Sequence, residues 1–363
     1  MKYIHPDYYK NFKCIADACP KTCCAGWQIE IDDEALAKYS SMNIDTVDYQ
    51  EQAFFHDNRK RCLNLDENGL CKLITEHGPD ILCRTCASFP RHIEEFENTR
   101  EYSLSISCPE VARMILTANE PITFVHSEDN TIDEEDYNPE EQVIYKLLSI
   151  LRDKFILIAQ DRTRSLNDRM AQILSIAKAF QDEIDFALLG DGNIEDIDLQ
   201  SILQVKYVPL ELSIDDVHTL FISMKEWEYT GDEFVEILDS AEDTLYKPST
   251  GSPYETDDIV GAMADHLTNK NIDLNTIMEQ ILVYFIYAYF CGSAYDEYYF
   301  GQAQLSVATC FHLRDLMLAH YIKTGNIELK DIIRFTYLYA RELEHSIPNI
   351  LATEAYMDEH PLI

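Results

Sequence analysis

From residue 143 onward, apolar side chains recur at i, i+3, i+4 and i+7. VIYKLLSILRDKFILIAQ (143–160) and LNDRMAQILSIAKAFQDEI (166–184) carry the pattern most clearly. Residues three and four apart stack on one face of a helix, so such a stripe folds as an amphipathic helix with that face buried. The same spacing predicts helices over 198–204, 214–226, 231–245, 256–268, 274–291, 300–323 and 327–345. Strand-like alternation is scarce and no fixed-period repeat is present. The most apolar run, ILVYFIYAYFC at 281–291, is shorter than the roughly 20 residues a bilayer span needs, so we expect a buried helix and no membrane partner.

Upstream the pattern breaks. SEDNTIDEEDYNPEEQ (127–142) is acidic and reads as a linker or exposed loop. Residues before it fall into short segments punctuated by DENG (66–69), HGP (77–79), FPR (89–91) and CPE (108–110), as expected of loops and short helices. PEVARMILTA (109–118) places Pro109 where a first helical residue belongs, so a helix closes this region. The chain is therefore expected to be mainly α: a cysteine-rich, metal-organised module over 1–120, an acidic linker over 121–142 and a helical domain over 143–363. The two glycines of LLGDGNIED (188–196) lack a preceding strand and read as a turn, not a nucleotide-binding loop.

Composition narrows the partners. Hydrophobic residues at 46% and charged residues at 26% are ordinary for a folded globular chain. The net charge of −36 is uneven: residues 1–120 hold 13 Lys and Arg against 20 Asp and Glu, leaving 16 against 45 for the rest. Such a field repels phosphate backbones, so no nucleic-acid partner is expected. The start, MKYIHPDYYKNFKC, has no apolar signal core, which favours a cytoplasmic location where thiols stay reduced.

That location makes the thiols informative. Nine of the eleven cysteines precede residue 109: Cys14, Cys19, Cys23 and Cys24, then Cys62 and Cys71, Cys83 and Cys86, and Cys108. Thiolates brought together in pairs from separate loops bind zinc or iron–sulfur clusters, and the C-x2-C at 83–86 is a metal-binding knuckle. The odd count of nine argues against a disulfide framework. One four-thiolate site leaves thiols over, so a second site, for zinc, is open. The C-x3-C-x2-C spacing of radical adenosylmethionine enzymes is absent, because Gly26 stands where its third cysteine would be. Arg59, Lys60, Arg61, Arg84 and Arg91 flank the thiols and would offset their charge; Arg84 and Arg91 are the candidates for binding a cofactor. Cys291 and Cys310 lie in apolar helical patterns and read as buried small hydrophobes.

Read together, FKCIADACPKTCCAGWQIEID, CLNLDENGLCKL, GPDILCRTCASFPR and LSISCPEVAR resemble the flagellin lysine N-methylase family. YLYARELEHSIPNI (337–350) is similar to that family's closing segment, and the middle of the chain matches poorly. A looser resemblance extends to small zinc- or iron-chelating proteins with a CC pair. The first resemblance implies a [4Fe–4S] cluster and methyl transfer from S-adenosylmethionine to lysines of flagellin. Lysine must first lose a proton from an amine of ordinary pKa near 10.4, by burial or to an acceptor. Tyr339, Arg341, Glu344 and His345 are the candidates for that chemistry; the last three share a helical face, where an intrahelical salt bridge is the alternative. A non-enzymatic metal-binding module on a helical scaffold is the competing function. Oligomeric state is not legible.

Overall fold

A computed structural model describes residues 1–133, 135–189, 193–247 and 258–363. Its helices are α1 (Asp33–Ser41), α2 (Lys72–His77), α3 (Arg84–Ser88), α4 (Pro109–Leu116), α5 (Pro139–Ala159), α6 (Leu166–Leu189) and α7 (Leu199–Ile202). There follow α8 (Ile214–Ser223), α9 (Asp232–Leu245), α10 (Ile259–Thr268), α11 (Leu274–Tyr289), α12 (Tyr299–Thr324), α13 (Leu329–Glu344) and α14 (Ile347–Glu359). The strands are β1 (Lys2–Pro6), β2 (Val47–Asp48), β3 (Ala53–Phe54), β4 (Arg91–Phe96), β5 (Thr99–Leu104) and β6 (Phe124–Glu128). The fold is mainly α, as the periodicity predicts.

Local chemistry sets the helix ends. Asn138 accepts from the Glu140 amide ahead of α5, with Pro139 at the first helical position. Ser213 and Asp216 cap α8 reciprocally, and Gly325, at φ +69°, ends α12 in the left-handed conformation glycine adopts without penalty. Helix α12 is buried on nearly every side along most of its length and packs against α6, α8, α9, α11, α13 and α14. Helix α11 continues through a short 3-10 turn; Leu274–Ala294 is long and apolar enough to cross a bilayer, yet 83% of its most apolar window is buried within the fold. The predicted 256–268 helix begins at Ile259, its first two residues lying outside the described ones, as do Gly190, Asp191 and Gly192 of the expected turn.

The sequence pattern did not predict the four-stranded sheet, ordered β4-β5-β1-β6. β1 runs parallel to β5 and antiparallel to β6, pairing Lys2 with both Thr99 and Glu128. β6 lies inside the segment expected to be a linker; its side chains are mostly exposed, so it carries no apolar alternation to announce it. The sheet belongs to the helical body. Ile4, Phe96, Leu104 and, from α4, Val111 join the large core that also holds Leu148, Phe180, Phe285 and Leu313. Buried Arg152 of α5 pairs with Glu101 of β5, which also accepts from Tyr145 at 2.8 Å. A second, small core runs from Ile29 to Cys83, so residues 1–120 contribute to both.

Candidate functional site

A cavity of about 650 Å³ opens where the two cores meet. Cys14, Cys19, Cys23, Cys24, Cys71, Cys86 and Cys108 line it; Cys62 and Cys83 are buried in the small core behind. All eleven thiols are free. Cys71, Cys83 and Cys108 each occupy the residue before a helix, α2, α3 and α4 respectively. The first amides of those helices point at the sulfurs and favour thiolate, although burial outweighs them at Cys71 and Cys108, pushing the Cys108 thiol up to about 11. Two neighbouring pairs share hydrogen bonds. Cys23 supports Cys24, whose thiol is pulled down while its own is pushed up, and Cys86 does the same for Cys83. Burial pushes Cys62 up to about 11.

This donor set fits a soft metal, since it is rich in free thiols and two of them, Cys24 and Cys83, are pulled toward ionisation by a neighbouring thiol. Among the described residues, no three Cys, His, Asp or Glu side chains converge at metal-holding distance. Cys291 and Cys310 lie apart, buried in the helical core as expected; the Cys310 thiol points at the Ser306 carbonyl at 3.6 Å.

The C-terminal segment closes the cavity. His345, the residue capping α13, lines it, with its ring centroid 3.8 Å from that of Trp27 and 5.9 Å from that of Phe89. Burial, with Arg341 nearby, lowers its pKa to about 3, so the imidazole is neutral. Its Nε2 lies 2.8 Å from Ser107 Oγ. Ser107 and Ser105 are joined through their hydroxyls, and the Ser105 hydroxyl donates to Glu344 Oε2. Glu344 Oε1 accepts from Tyr284 at 2.6 Å, and burial pushes its carboxyl above the usual range.

Arg341 is 2% exposed and spans the joint between the cores. Its Nη2 donates to the Ala25 carbonyl at 2.6 Å and its guanidinium lies over the Trp27 ring at 4.8 Å. Gly26, at φ +100°, lets the chain turn beneath it; a Cβ there would sit 3.4 Å from Nη2. Among the described residues the alternative, an intrahelical salt bridge, is not formed: Arg341 binds Ala25, while Glu344 and His345 both turn to the Ser105–Ser107 segment. Tyr339 is not on the cavity. It is fully buried, bonded to Thr309 and to His312 Nδ1 at 3.0 Å, and packed on Trp227, as a core residue. Arg84 is exposed and off the cavity, its amide donating to Asp32 at 2.7 Å. Arg91 does line the cavity, its guanidinium over Phe12 at 5.3 Å. Sequence reasoning missed Ser105, Ser107, Tyr284 and Phe89. The one available signal was the i, i+2 spacing of the two serines, which places both on one side of an extended chain.

Fold and site define a mainly helical protein in which the end of α13 closes a thiol-lined cavity beside Trp27 and Phe89. Its relatives carry the classification further. Residues 152–362 match the family model for the FliB lysine N-methylase C-terminal domain, and the chain belongs to that family. It is 30% identical over 206 residues to the lysine-N-methylases of Salmonella typhimurium (strain LT2) and Salmonella choleraesuis (strain SC-B67), covering 51% of this chain and 50% of theirs. It is also 32% identical over 131 residues to the flagellar biosynthetic protein FliU of Salmonella muenchen, covering 32% of this chain and 76% of that one. The chain thus spans about half the length of the lysine-N-methylases it matches. No solved structure matches.

Proposed function

We propose that this protein is a lysine N-methyltransferase that moves a methyl group from S-adenosylmethionine to lysine side chains of flagellin, in the cavity between the two cores. The observation that carries the reading is the meeting, at one cavity, of a neutral imidazole from the family-matched C-terminal region with the thiol wall. The names of the relatives supply the lysine and the flagellar context. Apolar lining from Phe12, Ile29, Leu82 and Phe89 disfavours an ammonium and lowers the amine's pKa toward the neutral form that attacks. Transfer then depends on holding the amine in line with the methyl carbon, which is a matter of orientation.

Cys14, Cys19, Cys23 and Cys108, with their neighbours on the wall, would hold a [4Fe–4S] cluster. When bound, it would help to orient the methyl donor in the cavity. Arg91, which lines the cavity, would meet the carboxylate of the methyl donor; Arg84 lies off the cavity. Cys62 and Cys83, deep in the small core, suit a structural zinc shared with Cys24, Cys71 or Cys86. We place the reaction in the cytoplasm, where these thiols stay reduced. Incubating metal-loaded protein with flagellin and S-adenosylmethionine should add single-methyl mass increments to lysine. Seven thiols on one cavity also suit a chelator without activity. Failure to bind S-adenosylmethionine in calorimetry, with metal present, would favour that second reading.

A further inference from the structure

The cavity face of His345 is connected inward by an unbroken run of hydrogen bonds. Nε2 lies 2.8 Å from Ser107 Oγ, the hydroxyls of Ser107 and Ser105 share a hydrogen bond, and Ser105 donates to Glu344 Oε2. One proton arrangement satisfies every link: Nε2–H donates to Ser107, Ser107 to Ser105 and Ser105 to the carboxylate. It leaves Nδ1 as an acceptor, which no protein group bonds among the described residues. Tyr284 donates to the other oxygen of Glu344 at 2.6 Å while accepting from the Ile106 amide at 2.9 Å, which fixes the carboxylate in place.

We propose that His345, Ser107, Ser105 and Glu344 form a proton relay that deprotonates the substrate amine in the cavity, with Glu344 as the terminal acceptor. The inference rests on the lysine-methylation reading and gives its deprotonation step a route. The ammonium N–H bond breaks as Nδ1–H forms, and Nε2–H passes its proton to Ser107, Ser107 to Ser105 and Ser105 to Glu344. The amine is left neutral, the carboxyl protonated and the imidazole in its other tautomer. The free amine then takes the methyl from a sulfonium donor, its lone pair forming the N–C bond as the C–S bond breaks. After product leaves, the proton returns to solvent along the same path. The weakly basic His345 suits a conduit, because it does not retain the proton. Glu344, whose carboxyl burial raises, suits a store. The titratable and charged groups facing this pair are Tyr8 after β1, His92 of β4, Tyr284 and Tyr289 of α11, and Tyr339 and Arg341 of α13. Ser105 and Ser107 act through others and are positioning residues.

The test is the pH–rate profile of methyl transfer by the full, metal-loaded chain carrying Ser107→Ala, beside Ser107→Thr and the parent. Without the relay only amine deprotonated in bulk reacts. The Ala variant should therefore fall about 10²-fold in kcat near neutral pH and recover roughly tenfold per pH unit toward the ordinary lysine pKa of about 10.4. Thr should restore the parent profile. Nitrogen-15 spectra of histidine-labelled parent, independent of activity, should show His345 carrying its proton on Nε2. A Ser107→Ala profile parallel to the parent at every pH, or a His345 proton on Nδ1, overturns the relay while leaving methylation intact. A parent that transfers no methyl at any pH overturns the functional reading itself, and the relay's role with it.

Discussion

The two cores are built by different means. The large one is packed by helices that bury leucine, isoleucine and phenylalanine on facing stripes, with α12 sealed through its middle. The small one has ten buried side chains, two of them cysteines, and three more cysteines packed against it. A core of that size supplies little stability alone, roughly 3–5 kcal/mol at best before any ligation. It leans on the large one through Arg341 at Ala25 and through Lys21, whose ammonium meets Glu233 at 2.5 Å while Arg334 holds the same carboxylate. One folds by burial, and the other is expected to fold by ligation and docking, which puts the candidate site at the boundary between them.

The largest effect should come from removing metal. In hydrogen exchange, chelated protein should lose amide protection over residues 14–90 while α11 and α12 keep theirs. Cys83→Ser or Cys86→Ser should likewise abolish metal loading, and unchanged metal content in both variants would show that the knuckle does not ligate. Phe285→Ala strikes the other core. That side chain is 1% exposed, and its loss should cost about 3–5 kcal/mol in chemical denaturation, without changing metal stoichiometry in the protein that remains folded.

A smaller effect tests by pH the partial burial of Glu354 on α14. Burial, reinforced by Asp296 and Asp358, pushes Glu354 up to about 7. Its folded value lies above its unfolded one, so the stability it confers is present at low pH and lost as pH rises toward 7. Glu354→Gln keeps the bond from Gln302, should match the parent near pH 4 and should melt roughly 2–4 °C higher above pH 7. Equal melting temperatures at pH 8 would contradict the assignment. Smallest of all, Cys310→Ala or Cys291→Ala should cost about 1 kcal/mol and leave metal content untouched. Loss of metal in either would bring a helical-core thiol into the ligand set.

Periodicity made the helical body readable. The expected 274–291, 300–323 and 327–345 became Leu274–Tyr289, Tyr299–Thr324 and Leu329–Glu344, long helices buried on most sides in which apolar residues recur at helical spacing. Helix α14 escaped notice since its apolar residues do not all face inward; Ile347 is 72% exposed. The sheet escaped because β1 finds its parallel partner almost a hundred residues away and β6 is polar. The thiol wall was visible from soft ligands crowded into short segments. The C-terminal candidates divided on a property the sequence does not carry, the direction each side chain takes. Glu344 and His345 turn toward Ser105 and Ser107 across more than 230 residues, while Tyr339 turns into the core. Arg341, a candidate for catalysis, joins the two cores.

Trp27 offers the most direct measurement of the central claim, that the methyl donor binds where the two cores meet. The chain has two tryptophans, and Trp227 is buried with Nε1 donating to Thr353 at 3.0 Å. Trp227→Phe would leave Trp27, on the cavity wall beside His345, as the sole reporter. Titrating metal-loaded Trp227→Phe protein with S-adenosylmethionine should change Trp27 emission saturably, with a midpoint equal to the calorimetric dissociation constant. Binding detected by calorimetry with Trp27 emission unchanged would place the donor elsewhere and contradict the account.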